Sequence, residues 1–305
     1  MSRIVVLGGA ESGVGAAVLA KVKGFDVFLS DNGKVAEHYA DMLNKWEIPF
    51  EQGGHTEELI LNADEVVKSP GIPSTVPIVK KISEKGIHII SEIEFASRYD
   101  SAKKICITGS NGKTTTTSLI YYLLQQAGLN VGLGGNIGKP LLCETDSMKP
   151  EDFAVLELSS FQLHSMDCKP DVAVITNISP NHLDKHRDYQ DYIDAKASIF
   201  LSQDEKCRLV LNRENEFSDY YAKSAHSDVS YFSRVSELQS GAYSDDRFVY
   251  KVRDGVKSKV MDIDEIKLPG THNLENYLAA FAATDGLVSD DICRQVAMSF
   301  AGVEH

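Results

Sequence analysis

Residues 105–117 read ICITGSNGKTTTT: an apolar run, a glycine turn, then Lys-Thr at the head of a stretch with helix signals. A strand, a tight turn and a helix in that order aim free backbone N–H groups and the positive end of the helix dipole at one point, which is how phosphate oxygens are cradled. Gly109 and Gly112 let the backbone approach an anion closely, Ser110 and Asn111 complete the turn, and Lys113 brings a compact positive charge. Thr114 can place its hydroxyl on Mg²⁺, and Thr115 supplies a further donor. In the usual phosphate loop the lysine follows the first glycine by six positions, whereas Gly109 lies four before Lys113. The contracted loop reads as a site for the phosphates of ATP. The plainer alternative, a solvated lysine after a glycine turn, leaves the strand-turn-helix context without a purpose.

Such a loop needs a parallel sheet behind it, and the chain supplies the pattern twice. Over the first domain the strand signals RIVVLGG, FDVFLSD, DEVVKSP and IHIIS alternate with helical stretches from about Gly13 and near 35–45, which is βαβ logic. The polar segment SRYDSAKK then separates this series from a second one. There the expected elements are strand 104–108, helix 113–127, strands 153–158 and 171–176, and a long helix over roughly 189–202. RFVYKVRDGVKSKVMDI reads as a hairpin turning at Asp254-Gly255. The fold class predicted is α/β: a Rossmann-like N-terminal domain over 1–99, then a P-loop-type central domain with an antiparallel flank over 100–302, with 303–305 opening a further domain.

Bulk properties narrow the partners. A net charge of −13 disfavours nucleic acid and anionic membranes, so any anionic ligand must be held by a local site. The start MSRIVVLGGAE has neither the basic region nor the apolar run of a signal peptide, and no 18-residue apolar stretch occurs. A cytoplasmic protein without membrane insertion is expected. Cys106, Cys143, Cys168, Cys207 and Cys293 are scattered without a Cys-x-x-Cys pair and read as reduced, mostly buried residues.

Three further segments carry chemistry. In DFAVLELSSFQL an apolar strand ends at Glu157 and delivers a carboxylate to the edge that bears the phosphate loop, which suits Mg²⁺; the alternative is a surface glutamate at a strand end. In TNISPNHLDKH, His182, Asp184 and His186 follow another strand. His182 is a candidate metal or substrate ligand there, although a lone histidine is more often structural. In YIDAKASIF, Lys196 stands among Ile193, Ala197 and Phe200, and taken alone it reads as a snorkelling surface lysine. At the N-terminus, GGAESGVG is a degenerate dinucleotide fingerprint with Ala10 where the second glycine belongs.

GSNGKTTT, ELSSFQL, NHLDKH, the lysine of DAKASIF and LPGTHNLENYLAA occur in one order, and in that order the chain resembles the Mur ligase family, which builds the peptide of bacterial cell-wall precursors. ELSSFQL with GGNIGKP and SPGIP is most similar to the members that add D-glutamate to UDP-N-acetylmuramoyl-L-alanine. The resemblance implies an ATP-dependent ligase, acting as a monomer, in which the substrate carboxylate attacks the γ-phosphate and D-glutamate displaces phosphate from the acyl phosphate. It implies that Lys113, Glu157, His182 and Lys196 carry catalysis. Two Mg²⁺ ions are implied, the first on Thr114 and Glu157 and the second aided by His182, with Lys196 carbamylated as an anionic oxygen ligand. Asn273 and Asn276 match adenine-contacting positions, and Asn136, Gln162 and His182 substrate-contacting ones. The first domain becomes a UDP-binding domain, with Ser12 and Gly13 near the diphosphate, Asp31 and Asn32 near the uridine, and Ser69 to Gly71 on the same edge.

Asn181 departs from the acidic residue the family often carries before the histidine. FAGVEH ends where the resemblance predicts an arginine and then a third domain supplying the D-glutamate site. Three alternatives follow: a fragment that binds ATP and the UDP-substrate without turnover, another Mur ligase subtype, and a nicotinamide-dependent dehydrogenase built on Gly8 to Gly15 and Asp31. The last leaves the phosphate loop unexplained.

Overall fold

The computed structural model describes residues 1–69, 71–99, 101–135, 148–163, 169–180 and 187–302. The chain divides into two compact units, 1–101 with 139–148 and 102–138 with 149–305.

In the first unit the elements run β1 Arg3–Leu7, α1 Glu11–Val22, β2 Asp26–Asp31, α2 Glu37–Lys45, β3 Phe50–Gln52, α3 Glu57–Ile60, β4 Glu65–Lys68, α4 Pro77–Glu84, β5 His88–Ser91 and α5 Glu92–Ser97. The five strands pair in parallel in the order β3-β2-β1-β4-β5. Val5, Val6 and Leu7 of the central β1 are fully buried, as strands covered by helices on both faces must be. The chain runs outward from β1 to β3 and then resumes on the other side of β1 with β4. That reversal opens a crevice at the carboxyl ends of β1 and β4, where open α/β sheets take ligands.

The second unit contains β6 Lys103–Thr108, α6 Lys113–Gln126, β7 Val131–Gly135, β8 Phe153–Glu157, α7 Ser160–Leu163, β9 Val172–Ile175, α8 Tyr189–Ala197, β10 Arg208–Asn212, α9 Ser218–Ser224 and β11 Asp228–Ser233. It closes with β12 Gly241–Ser244, β13 Phe248–Arg253, β14 Val256–Asp262, α10 Thr271–Ala283 and α11 Asp290–Ser299. Its strands form one sheet, β14-β13-β12-β11-β10-β9-β6-β8-β7. Pairing is parallel from β7 to β12 and antiparallel where β12, β13 and β14 meet, the flank read from the Asp254-Gly255 turn.

The core of this unit lies between the sheet and α6, α10 and α11, with Leu119, Ile120, Leu123, Tyr277, Phe281 and Val296 among its buried residues. α10 is apolar nearly all round, and buried from Asn276 to Ala283, which marks a core helix rather than a surface one. α8 is shorter than the expected 189–202: after Ala197 the backbone tightens into turns in which Ile199 N–H donates to Lys196 O and Phe200 N–H to Ala197 O. This last stretch still buries Ile199 and Phe200, so apolar spacing alone reads it as helix.

Candidate functional site

β6 lies between β8 and β9, so its carboxyl end meets the loops that leave both neighbours. The loop 109–112 turns there, and Gly112, at φ +80°, caps α6 in the left-handed region without a side-chain capping bond. A Cβ on Gly112 would overlap the Asn276 side chain, and one on Gly109 would overlap Thr176. Both glycines are therefore required by close approach as well as by backbone conformation. The opening N–H groups of α6 have no capping side chain and remain available to an anion.

The loop is clamped from β9. Ser110 N–H donates to Asn177 O (2.8 Å) and Asn111 N–H to Asn177 Oδ1 (3.0 Å), while Asn177 Nδ2 and Thr176 Oγ1 both donate to Asn111 O (3.0 and 2.6 Å). Ser110 Oγ donates to Ser179 O at 3.0 Å, accepts from Ser179 N–H at 2.9 Å and lies 2.8 Å from the Tyr192 hydroxyl. These clamps fix the loop before any ligand arrives, so binding need not order it.

Two lysines converge on one carbonyl. Lys113 Nζ donates to Gly109 O at 3.1 Å and to Ser110 O at 3.2 Å. Lys196 Nζ donates to the same Gly109 O at 2.9 Å and to Thr108 Oγ1 at 3.2 Å. Lys196 is 2% exposed and stands over the Tyr192 ring, 4.8 Å from its centroid. The snorkelling reading therefore gives way to a buried amine. Burial first, then the neighbouring Lys113 charge, pull its pKa down to about 7 against the opposing pull of Glu157. Burial also lowers Lys113, with Glu157 again opposing.

Glu157, at the end of β8, is 1% exposed and accepts a hydrogen bond from Thr114 Oγ1 at 2.8 Å; the surface-glutamate reading fails. Thr114 and Glu157 thus present hard oxygens side by side, a fit to Mg²⁺, which takes one or two carboxylates beside substrate phosphates and keeps waters. Among the described residues no three His, Cys, Asp or Glu side chains gather as a metal cluster. Asn136 and His182, with Asp184 and His186, lie outside the described residues.

Asn276, 7% exposed, accepts from Thr116 Oγ1 at 3.3 Å, while Asn273 Nδ2 donates to Pro269 O at 2.8 Å. Asn276 therefore abuts the phosphate loop, and its neighbour one turn away is tied to the segment that enters α10. Gln162, 2% exposed, turns its Oε1 toward Ser159, accepting from both its N–H and its hydroxyl. Thr115 is half-buried in the first turn of α6.

In the first unit, Asp31 at the end of β2 accepts from Gly9 N–H (2.5 Å) and Gly33 N–H (2.6 Å), so its carboxylate joins the β1 and β2 loops. Ser12 stands in the first turn of α1, next to Gly13. The Ser69 hydroxyl is buried without a partner beside Gly8. Asn32 and Gly71 are exposed on the same edge. Residues that sequence reading missed are Thr108, Thr176, Asn177, Ser179 and Tyr192. For Thr176, Asn177 and Ser179 the legible signal is a run of polar residues directly after an apolar strand, VAVITNIS.

The match to the description "Mur ligase middle domain" covers residues 107–284 and that to "MurD N-terminal domain" residues 4–77. The UDP-N-acetylmuramoylalanine--D-glutamate ligase of Bacteroides fragilis is 48% identical over 313 residues, covering 100% of this chain and 69% of the relative. The Porphyromonas gingivalis protein of the same name is 42% identical over 311 residues, covering 99% and 68%. Among solved structures, the UDP-N-acetylmuramate:L-alanyl-γ-D-glutamyl-meso-diaminopimelate ligase from Neisseria meningitidis aligns over 100% of both chains with a TM-score of 0.70 at 21% identity. The Thermotoga maritima UDP-N-acetylmuramate-alanine ligase aligns over 100% of this chain and 70% of its own with a TM-score of 0.62 at 21% identity; these two bear on the fold. Family matches over both units and relatives at this identity lead to one conclusion: the chain belongs to the Mur ligase family.

Proposed function

We propose that this chain provides the UDP-substrate and ATP sites of a ligase that joins D-glutamate to UDP-N-acetylmuramoyl-L-alanine in the cytoplasm. The observation that carries the reading is the junction of β6, β8 and α8, where Lys113, Thr114, Glu157 and Lys196 meet around a pre-clamped glycine loop. The first unit holds the UDP part through Ser12, Gly13, Asp31, Asn32, Ser69 and Gly71. Asn136, Gln162 and His182 are the residues assigned to the muramoyl-alanyl part.

The reaction follows from what these groups do to charge. The alanyl carboxylate oxygen bonds to the γ-phosphorus as the bond to ADP breaks, giving an acyl phosphate. The amine of D-glutamate then adds to the acyl carbon, loses a proton, and expels phosphate. Both steps bring anions together, so catalysis rests on positioned positive charge and donors. The α6 N–H groups and loop 109–112 hold the phosphates, Lys113 neutralises their growing charge, and Asn273 and Asn276 meet the adenine.

Thr114 and Glu157 would hold Mg²⁺, which would supply further neutralisation of phosphate charge. Lys196 is suited to carbamylation, because a buried amine that is uncharged near neutral pH can take up CO₂ and become an anionic oxygen donor. With His182 it would hold a second ion.

Phosphate release by the complete protein encoded by the reading frame that contains this chain tests the proposal. Turnover should require ATP, UDP-N-acetylmuramoyl-L-alanine and D-glutamate together. Turnover supported by another amino acid in place of D-glutamate would sink the assigned specificity.

A further inference from the structure

Tyr192 is 1% exposed and touches the phosphate loop and Lys196 at once. It stands one turn before Lys196 on α8, and residues four apart on a helix share a face. The lysine therefore reaches back over the ring, with Nζ 4.8 Å from its centroid. The same Nζ donates to Gly109 O and Thr108 Oγ1. Thr108 Oγ1 gives its own hydrogen to Leu158 O at 2.8 Å, so it meets Nζ as an acceptor. Two oxygens and one ring face hold the amine.

At the loop, a count of hydrogens fixes the direction of the bond. Ser110 has one hydroxyl hydrogen, and Ser179 O takes it at 3.0 Å. Ser179 N–H and the Tyr192 hydroxyl, at 2.9 and 2.8 Å, are then both donors to Ser110 Oγ. The Ser110 N–H is taken as well, by Asn177 O at 2.8 Å. Ser110 thus has no hydrogen left for a phosphate, although it lies within the phosphate loop. It anchors the loop, and Tyr192 is its attachment to α8.

We propose that Tyr192 is a positioning residue with two separable jobs: its hydroxyl sets the phosphate loop through Ser110, and its ring sets Lys196. The inference rests on the reading of this junction as the ATP site. The first job bears on ATP binding, because the loop carries the phosphates. The second bears on the chemical step, to which Lys196 is assigned. Phenylalanine keeps the ring and removes the hydroxyl, while leucine removes both, so the jobs can be read apart.

Calorimetry with a non-hydrolysable ATP analogue and steady-state kinetics on the complete protein test this. Tyr192→Phe should weaken the analogue about fivefold, the scale of one neutral hydrogen bond, and leave kcat at saturating ATP within about twofold. Ser110→Ala, which also loses Ser179, should weaken it at least as much, and adding Tyr192→Phe to Ser110→Ala should cost nothing more. Tyr192→Leu should match Tyr192→Phe in affinity and lose at least about tenfold in kcat. Should the leucine variant fail to fold, the phenylalanine variant and the cycle with Ser110 still decide, because phenylalanine fills the same space. A Tyr192→Phe protein that binds the analogue as tightly as the wild type, losses that multiply in the double variant, or equal kcat for the phenylalanine and folded leucine variants would overturn the role. A wild type that does not bind the analogue at all would instead refute the reading of the junction as the ATP site.

Discussion

Lys113 and Lys196 share one carbonyl acceptor, Gly109 O, with a buried carboxylate, Glu157, acting on both. Two ammonium groups this close disfavour each other, and the deeper one yields its proton. Lys113 is thereby left as the cation for the phosphates. Lys113→Ala should lower kcat of the complete enzyme by about a thousandfold, the scale for removing a charge-stabilising group, with circular dichroism unchanged; retained turnover would remove Lys113 from the mechanism. For Lys196 the sign follows from its pKa. The amine is mostly protonated below pH 7 and mostly neutral above it, and only the neutral form adds CO₂. At constant ¹³CO₂ pressure the carbamate signal in ¹³C NMR should therefore rise between pH 6 and 8 and be missing in Lys196→Ala; a signal independent of pH would contradict the depressed amine. None of this was legible in DAKASIF itself. The segment shows a lysine among apolar residues, while the burial comes from Thr108 and the Gly109 carbonyl, some ninety positions earlier.

The elements that were legible are those whose signal is local. β6 and β8 are short apolar runs because helices or loops cover both faces, and the glycine turn before Lys113 announced α6. β7, VGLGG, was not legible: a strand with three glycines carries little β-propensity and exists through its pairing with β8. The fit of α10 against the phosphate loop was hidden too, because the contact of Asn276 with Gly112 joins positions remote in sequence. A comparison of two glycines measures that contact. Gly112 and Gly128 have φ of +80° and +75°, yet a Cβ meets the Asn276 side chain at the first and open space at the second. Gly128→Ala should cost about 1 kcal/mol through backbone strain alone. Gly112→Ala should cost at least about 1 kcal/mol more in urea unfolding and also weaken ATP binding. Equal losses at the two positions would mean that Asn276 yields freely and does not brace the loop.

At the scale of the whole molecule the two units have separate cores, one around Val5, Phe28 and Ile82 and the other around Ile107, Leu123 and Phe281. Each can therefore open and close with its own free energy. A ligand present at a hundred times its Kd stabilises the unit that binds it by about 2.7 kcal/mol, which slows hydrogen exchange through that unit's opening about a hundredfold. A non-hydrolysable ATP analogue with Mg²⁺ should protect the amides of α6, β8 and α10. UDP-N-acetylmuramoyl-L-alanine should protect those of β1, α1 and β4. The asymmetry is the informative part, because the proposed sites draw their backbone donors from different helices, α6 for the nucleotide and α1 for the UDP diphosphate. Protection of α1 by the ATP analogue, or of α6 alone by the UDP-substrate, would mean that the two anions have been assigned to the wrong helices.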